Sequence, residues 1–382
     1  MHARSSRQPD SAGLYVHVPF CQSKCPYCAF YSEPVSGRDP ARLLEAVLLE
    51  IDRYALPASI HTIHLGGGSP TCLPAPLLSR LLKAVAGRCP NASEFTVECN
   101  PAQVNADALS LLRNAGVNRL SLGAQSFNDR ELALLGRRHS AADTIRVVET
   151  ARAVGFENVS LDLMFAVPGS SLKAWKHTLE SAVALNVQHI SAYALTFEEG
   201  TPFDSRRRCG QLTSVDEQTD RAMYEFAIDF LAAARFRQYE ISNFARDGFA
   251  CAHNQLYWEN RPCIGVGPSA GSYWRGRRTL NVADIDLYVR AIEAGCSPHA
   301  LCERPNRNER ICETAVLNLR MRRGIDRNQF CNETGVDFFS VFNNAWTQNN
   351  ALGLMETDGR TVRLTRQALP VANGVLCDFS TF

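Results

Sequence analysis

The sequence has almost no net charge: 40 Lys and Arg stand against 39 Asp and Glu, which leaves +1. A chain this close to neutral lacks the field that would gather nucleic acid or an anionic membrane, so no nucleic-acid partner is expected. Apolar runs of membrane-spanning length are missing, and residues 1–13 form a polar tail with no signal-type apolar stretch behind it. These absences lead to the expectation of a soluble, cytoplasmic protein that does not itself span a membrane. Low-complexity tracts and short repeats are also lacking, and the arginine clusters around 206–208, 275–278 and 320–323 read as solvated faces. Fourteen cysteines are present but contain no second C-x2-C pair, which argues against the paired knuckles of a structural zinc site. Most of them are scattered and read as ordinary thiols, not as a disulfide framework.

What is present begins with Cys21, Cys25 and Cys28, spaced C-x3-C-x2-C in one short loop. They supply one thiolate fewer than a 4Fe-4S cluster needs, so one iron of such a cluster would stay open to chelate a small molecule. The loop follows the first of a series of β-rich runs, at 14–18, 62–65, 94–98, 119–123, 159–163 and 189–195. Stretches of helical period separate them, at 40–54, 75–86, 106–115, 141–154 and 172–185. This alternation predicts an α/β fold with parallel strands, two units short of a closed (β/α)8 barrel. The expected architecture is an open, partial (β/α)6 barrel over 14–200, with an irregular extension at 201–303 lining the opening and one strand at 238–241. A small α+β unit of winged-helix type is expected over 304–382, with a helix at 308–319 and a hairpin at 354–364.

In such barrels functional side chains gather at the C-terminal ends of the strands. There the sequence places the Gly66-Gly67-Gly68-Ser69-Pro70 turn, Glu98, Gln125 and Asp162, with Arg137 close by in sequence. Taken together they predict a convergent polar rim.

The cysteine spacing, with Tyr27 before the third Cys, resembles the radical S-adenosylmethionine (SAM) superfamily. The run from Leu14 to Cys21, the glycine turn, Glu98-Cys-Asn-Pro101, Gly123-Ala-Gln-Ser-Phe127 and Asp162-Leu-Met164 resemble its oxygen-independent coproporphyrinogen oxidase-like family along almost the whole chain. That resemblance implies a 4Fe-4S cluster on Cys21, Cys25 and Cys28. It also implies SAM contacts from Tyr15, Tyr27, Gly67, Gly68, Ser69, Glu98, Gln125, Arg137, Asp162 and Ala194. Ser69 stands where the family usually has Thr, and the hydroxyl is kept.

Coproporphyrinogen dehydrogenases of the family carry a further cysteine two residues after the third and a longer N-terminal arm. Here the position is Phe30, and 20 residues precede Cys21. Both departures turn the expectation from porphyrinogen decarboxylation to the haem-chaperone subgroup, with haem as cargo, membrane-associated haem-accepting proteins as partners, and a flavodoxin or ferredoxin as electron donor. The run His253-Asn-Gln-Leu-Tyr-Trp258 resembles the haem signature of that subgroup, which makes His253 the expected haem contact, flanked by Tyr257 and Trp258. Gly271 occupies a position where the family commonly has a second histidine.

Overall fold

The computed structural model describes residues 12–54, 56–57 and 59–381. Most of the polar tail lies outside the described residues, and its last two residues, Ala12 and Gly13, already belong to the first strand. The six expected strands are β1 (Ala12–Val18), β2 (Ile60–Gly67), β3 (Glu94–Cys99), β4 (Arg119–Gln125), β5 (Asn158–Phe165) and β6 (His189–Ala194). They lie side by side and parallel in chain order.

Alternation sets what each strand presents. In β1, Leu14, Val16 and Val18 are buried in the apolar core with Leu44, Val47 and Ile51 of the helix Pro40–Arg53. Tyr15 and His17 point the other way and stand in register with His64 and Gly66 of β2. That inner face continues with Glu98 beside Ser121 and with Asp162 beside Ser191. Closed barrels of this type fill their interior with branched aliphatics. This inner face is polar, and His64 Nδ1, Thr96 Oγ1, Arg119 Nε and Asn158 Oδ1 on it are buried without a partner among the described residues.

The helices start where local chemistry satisfies their first amides. Asp39 accepts from the Ala41 and Arg42 amides, with Pro40 at the first helical position. Reciprocal capping boxes at Ser140 with Asp143 and at Asn306 with Glu309 begin two more.

The extension at 201–303 departs from expectation. It is built into the sheet, through β7 (Arg237–Gln238), β8 (Asn243–Ala245), β9 (Cys263–Val266), β10 (Gly271–Trp274), β11 (Arg277–Asn281) and β12 (His299–Glu303). Strand β9 joins β1 in parallel, β8 joins β6 antiparallel, and the whole sheet runs β12-β11-β10-β9-β1-β2-β3-β4-β5-β6-β8-β7. The strand expected at 238–241 is two short strands around a turn at Tyr239–Ser242. Strands of two to five residues show no period that a sequence window can detect.

The C-terminal unit has helices Arg307–Leu319, Arg327–Thr334 and Phe338–Ala351 and a three-stranded sheet containing the hairpin Met355–Thr357 and Thr361–Leu364. Phe338 packs against Phe330, Phe342 and Phe379 at its centre. The unit docks on the barrel through the helix Ala252–Trp258: Asn318 Nδ2 donates to the Trp258 carbonyl at 2.9 Å, and the Arg320 guanidinium lies over the Trp258 ring at 4.4 Å.

Candidate functional site

The cysteine loop leaves β1 at its C-terminal end. Its two ends are tied by a short parallel bridge of Phe20–Cys21 with Glu33–Pro34, in which the Glu33 amide donates to the Pro19 carbonyl at 2.7 Å and the Val35 amide to the Cys21 carbonyl at 3.0 Å. Between them Cys21, Cys25 and Cys28 are half-buried free thiols, and the Cys28 amide closes a turn on the Cys25 carbonyl at 3.1 Å. Burial pushes the Cys21 and Cys28 thiols above the ordinary value. Metal ligation works against that shift by taking up the thiolate form. Among the described residues no three His, Cys, Asp or Glu side chains converge as for one metal ion. In a cubane each thiolate serves a different iron, so three donors spread along one loop fit the chemistry of a cluster.

The glycine turn presses against this loop. A Cβ on Gly68 would lie 2.4 Å from the Phe20 carbonyl oxygen, and Gly67, at φ +99°, passes the His17 ring just as closely. The Gly68 amide donates to the Val18 carbonyl and the Ser69 amide to the Phe20 carbonyl. Ser69 is buried, with its hydroxyl 2.9 Å from Thr71 Oγ1.

Beside the turn Glu98 accepts from the Gly67 amide at 3.2 Å and from His64 Nε2 at 2.8 Å. Burial raises its carboxyl, but the His64 hydrogen bond and charge and the Gly67 amide outweigh burial and hold it below the usual carboxylate range. Tyr15 O–H donates to His17 Nδ1 at 3.0 Å, since His17 Nε2 must donate to the Tyr31 carbonyl at 2.9 Å. Asp162 accepts from Ser121 Oγ at 3.1 Å, and burial lifts its carboxyl. Gln125 holds φ +64° where β4 breaks register with β5, a strained backbone for a residue other than glycine. Arg137 Nη2 donates to the Gly123 carbonyl at 2.7 Å and Nη1 to Cys25 Sγ at 3.6 Å, while Tyr27 stacks edge-on against Phe203. Ala194 is exposed at the end of β6.

The glycine turn, Glu98, Gln125 and Ala194 thus stand at the C-terminal ends of their strands with the cysteine loop and Arg137, while Tyr15 and Asp162 lie deeper on the same inner face, in mid-strand. This donor set fits a cluster and a small zwitterion: thiols from one loop, backbone amides at a glycine turn, two carboxylates and a guanidinium. His17 and His64 also belong to it, and the sequence reading missed them. Their signal was alternation, since each lies on the inner face two residues from a residue already singled out, Tyr15 and Gly66.

His253 is not at the mouth. It is 2% exposed on the inner side of the helix Ala252–Trp258, with Nδ1 2.8 Å from Thr62 Oγ1 and Nε2 3.1 Å from the Tyr257 hydroxyl. Its ring stacks on His64 at 5.1 Å, and burial, then His64 and Arg119, push its pKa well below the ordinary value. Ligation of haem iron by this ring requires it to leave Tyr257 or Thr62. Tyr257, by contrast, is 38% exposed. Glu94, another residue the sequence reading passed over, accepts from the Ala252 amide at 2.8 Å and the His253 amide at 2.9 Å and anchors this helix.

Residues 15–182 match the radical SAM superfamily, and residues 306–371 match the HemN C-terminal domain family. The chain is 35% identical over 373 residues to the heme chaperone HemW of Bacillus subtilis, covering 96% of this chain and 98% of that protein. It is 31% identical over 382 residues to the mitochondrial radical S-adenosyl methionine domain-containing protein 1 of Mus musculus, covering 96% and 86%. Among solved structures, coproporphyrinogen III oxidase (HemN) from Escherichia coli superposes with a TM-score of 0.83 at 21% identity, covering 98% and 92% of the two chains. At that identity the likeness speaks to the fold: a partial barrel with a C-terminal unit.

Proposed function

Because the chain belongs to the radical SAM superfamily, in the HemW-type subgroup of the oxygen-independent coproporphyrinogen III oxidase-like family, we propose that it is a haem chaperone. It binds a 4Fe-4S cluster through Cys21, Cys25 and Cys28, binds SAM at the barrel mouth, carries one haem, and delivers it to membrane-associated acceptor proteins. The observation that carries this reading is likeness along nearly the whole chain to relatives named heme chaperone. When bound, a cluster of this type supplies the electron that splits SAM. A flavodoxin or ferredoxin is the proposed source of that electron, and the cytoplasm the proposed compartment. No helix among the described residues is long and apolar enough to cross a membrane.

The side chains of the mouth have assignable tasks in this reading. Glu98, held as a carboxylate by His64, faces a ligand amine, and Arg137 faces a ligand carboxylate. Gly67 and Gly68 offer backbone where side chains would collide. Asp162 and Gln125 are proposed partners for ribose hydroxyls. His253 enters the proposal as a haem contact reached by rotation away from Tyr257, whose accessible ring meets the macrocycle first.

The intact mouth favours one second reading, oxidative decarboxylation of coproporphyrinogen. Against it stands Phe30, 72% exposed where the dehydrogenases have a further cysteine. The deciding experiment incubates anaerobically reconstituted protein with haem, followed by difference absorption, and in parallel with coproporphyrinogen, SAM and a reductant. Stoichiometric haem binding without decarboxylation is expected, with weaker binding by His253→Ala. Vinyl-bearing product and no stable haem complex would replace the chaperone with an enzyme.

A further inference from the structure

Residues 135–137 are pressed onto the middle of the cysteine loop. Leu135 is fully buried in a small apolar cluster with Phe203 and Tyr27. Gly136, at φ +69°, comes so close that a Cβ there would lie 2.7 Å from Pro26 Cδ. On the other side the Phe203 amide donates to the Pro26 carbonyl at 3.0 Å. Arg137 is therefore delivered to Cys25 by a fixed backbone, and its Nη2 is anchored on the Gly123 carbonyl at the end of β4 while Nη1 donates to Cys25 Sγ. The third donor of the fork, Nε, is buried and has no partner among the described residues.

The three cysteines are not equivalent in these surroundings. Cys25 has a guanidinium at hydrogen-bonding distance, 3.6 Å from its sulfur, and Arg137 makes this contact to Cys25 alone of the three. A cationic donor on a thiolate withdraws electron density from the iron it ligates, which favours the reduced cluster and raises its potential. Lysine cannot reproduce this, because one ammonium cannot hold the Gly123 carbonyl and the sulfur in the same planar geometry.

We propose that Arg137 is a positioning residue of the cluster itself, whose donation to Cys25 sulfur sets the reduction potential. This is distinct from the SAM contact implied by resemblance, and it rests on the cluster reading given under Proposed function. The test compares the midpoint potentials of reconstituted wild type, Arg137→Gln and Arg137→Lys, by redox titration followed by electron paramagnetic resonance without SAM, so that a lost SAM contact does not enter. Iron and sulfide are determined on the same samples. The expected result is a more negative potential for Arg137→Gln at unchanged cluster content, with Arg137→Lys in between. A cluster-replete Arg137→Gln protein with the wild-type potential overturns the proposal. If Arg137→Gln assembles no cluster, Arg137→Lys decides: a potential below wild type supports the assignment, and the wild-type value overturns it. A wild-type protein that assembles no cluster removes the cluster reading and this proposal with it.

Discussion

Gly68 shows how much a single hydrogen atom decides at the mouth. The atom nearest to an added Cβ is a carbonyl oxygen of the cysteine loop, not a flexible side chain, so the loop itself would have to move. Gly68→Ala is expected to cost about 1–3 kcal/mol of local strain and to lower iron and sulfide content after reconstitution. Gly87, in the helix Ala75–Arg88 with open space around it, is the control: Gly87→Ala should raise stability by about 0.5–1 kcal/mol and leave the cluster untouched. Equal cluster content in the two variants would contradict this account. The glycines were legible in the sequence as a place where backbone comes close to something. What it comes close to, Phe20 and His17, was not, because contacts across parallel strands join residues tens of positions apart. For the same reason the sequence could name His253, with Tyr257 beside it, but not the Thr62 hydroxyl that holds its Nδ1.

The helix Ala252–Trp258 joins two parts of the molecule. One side places His253 toward the barrel interior, where the hydroxyl of the more exposed Tyr257, one turn on, reaches its Nε2, and the helix end gives Trp258 to Asn318 and Arg320 of the C-terminal unit. Its first amides depend on Glu94, which lies more than 150 positions earlier in the chain. Glu94→Gln is expected to destabilise the helix by about 1–3 kcal/mol. Hydrogen exchange of the amides of 252–258 should accelerate while the cysteine loop keeps its protection. Unchanged exchange there would show that the helix is held from the C-terminal side alone. Elements with local signals were readable: Asp39 followed by Pro40, and the two capping boxes, mark helix starts in a few residues. The short strands of 237–303 carry no such signal, because what makes them strands is the edge of a sheet that forms elsewhere.

For the whole molecule, the polar interior makes stability depend on pH. Burial lowers the pKa of His17, His189 and His253, and burial together with Arg137 brings His139 to about 4. A histidine whose folded pKa lies below its unfolded value of about 6.5 stabilises the fold while neutral, because the unfolded chain takes up its proton first. That contribution is complete above the unfolded value and is lost as pH falls toward the folded one. Each such group adds a slope of up to about 1.4 kcal/mol per pH unit in that window. Thermal midpoints of the apoprotein should therefore change little between about pH 7 and 8, fall between about 6.5 and 4, and fall again at more alkaline pH where the unfolded chain loses the protons that buried thiols keep, and a flat profile between about 6.5 and 4 would refute the buried neutral histidines. The bridge between Phe20–Cys21 and Glu33–Pro34 has a different consequence. It pins both ends of the loop that carries Cys25 and Cys28, so the entropy of closing that loop is already spent when the barrel folds. On the cluster reading proposed above, filling or emptying the loop of iron reorders only the residues between two fixed points, and a damaged cluster is replaced on a chain that never has to unfold.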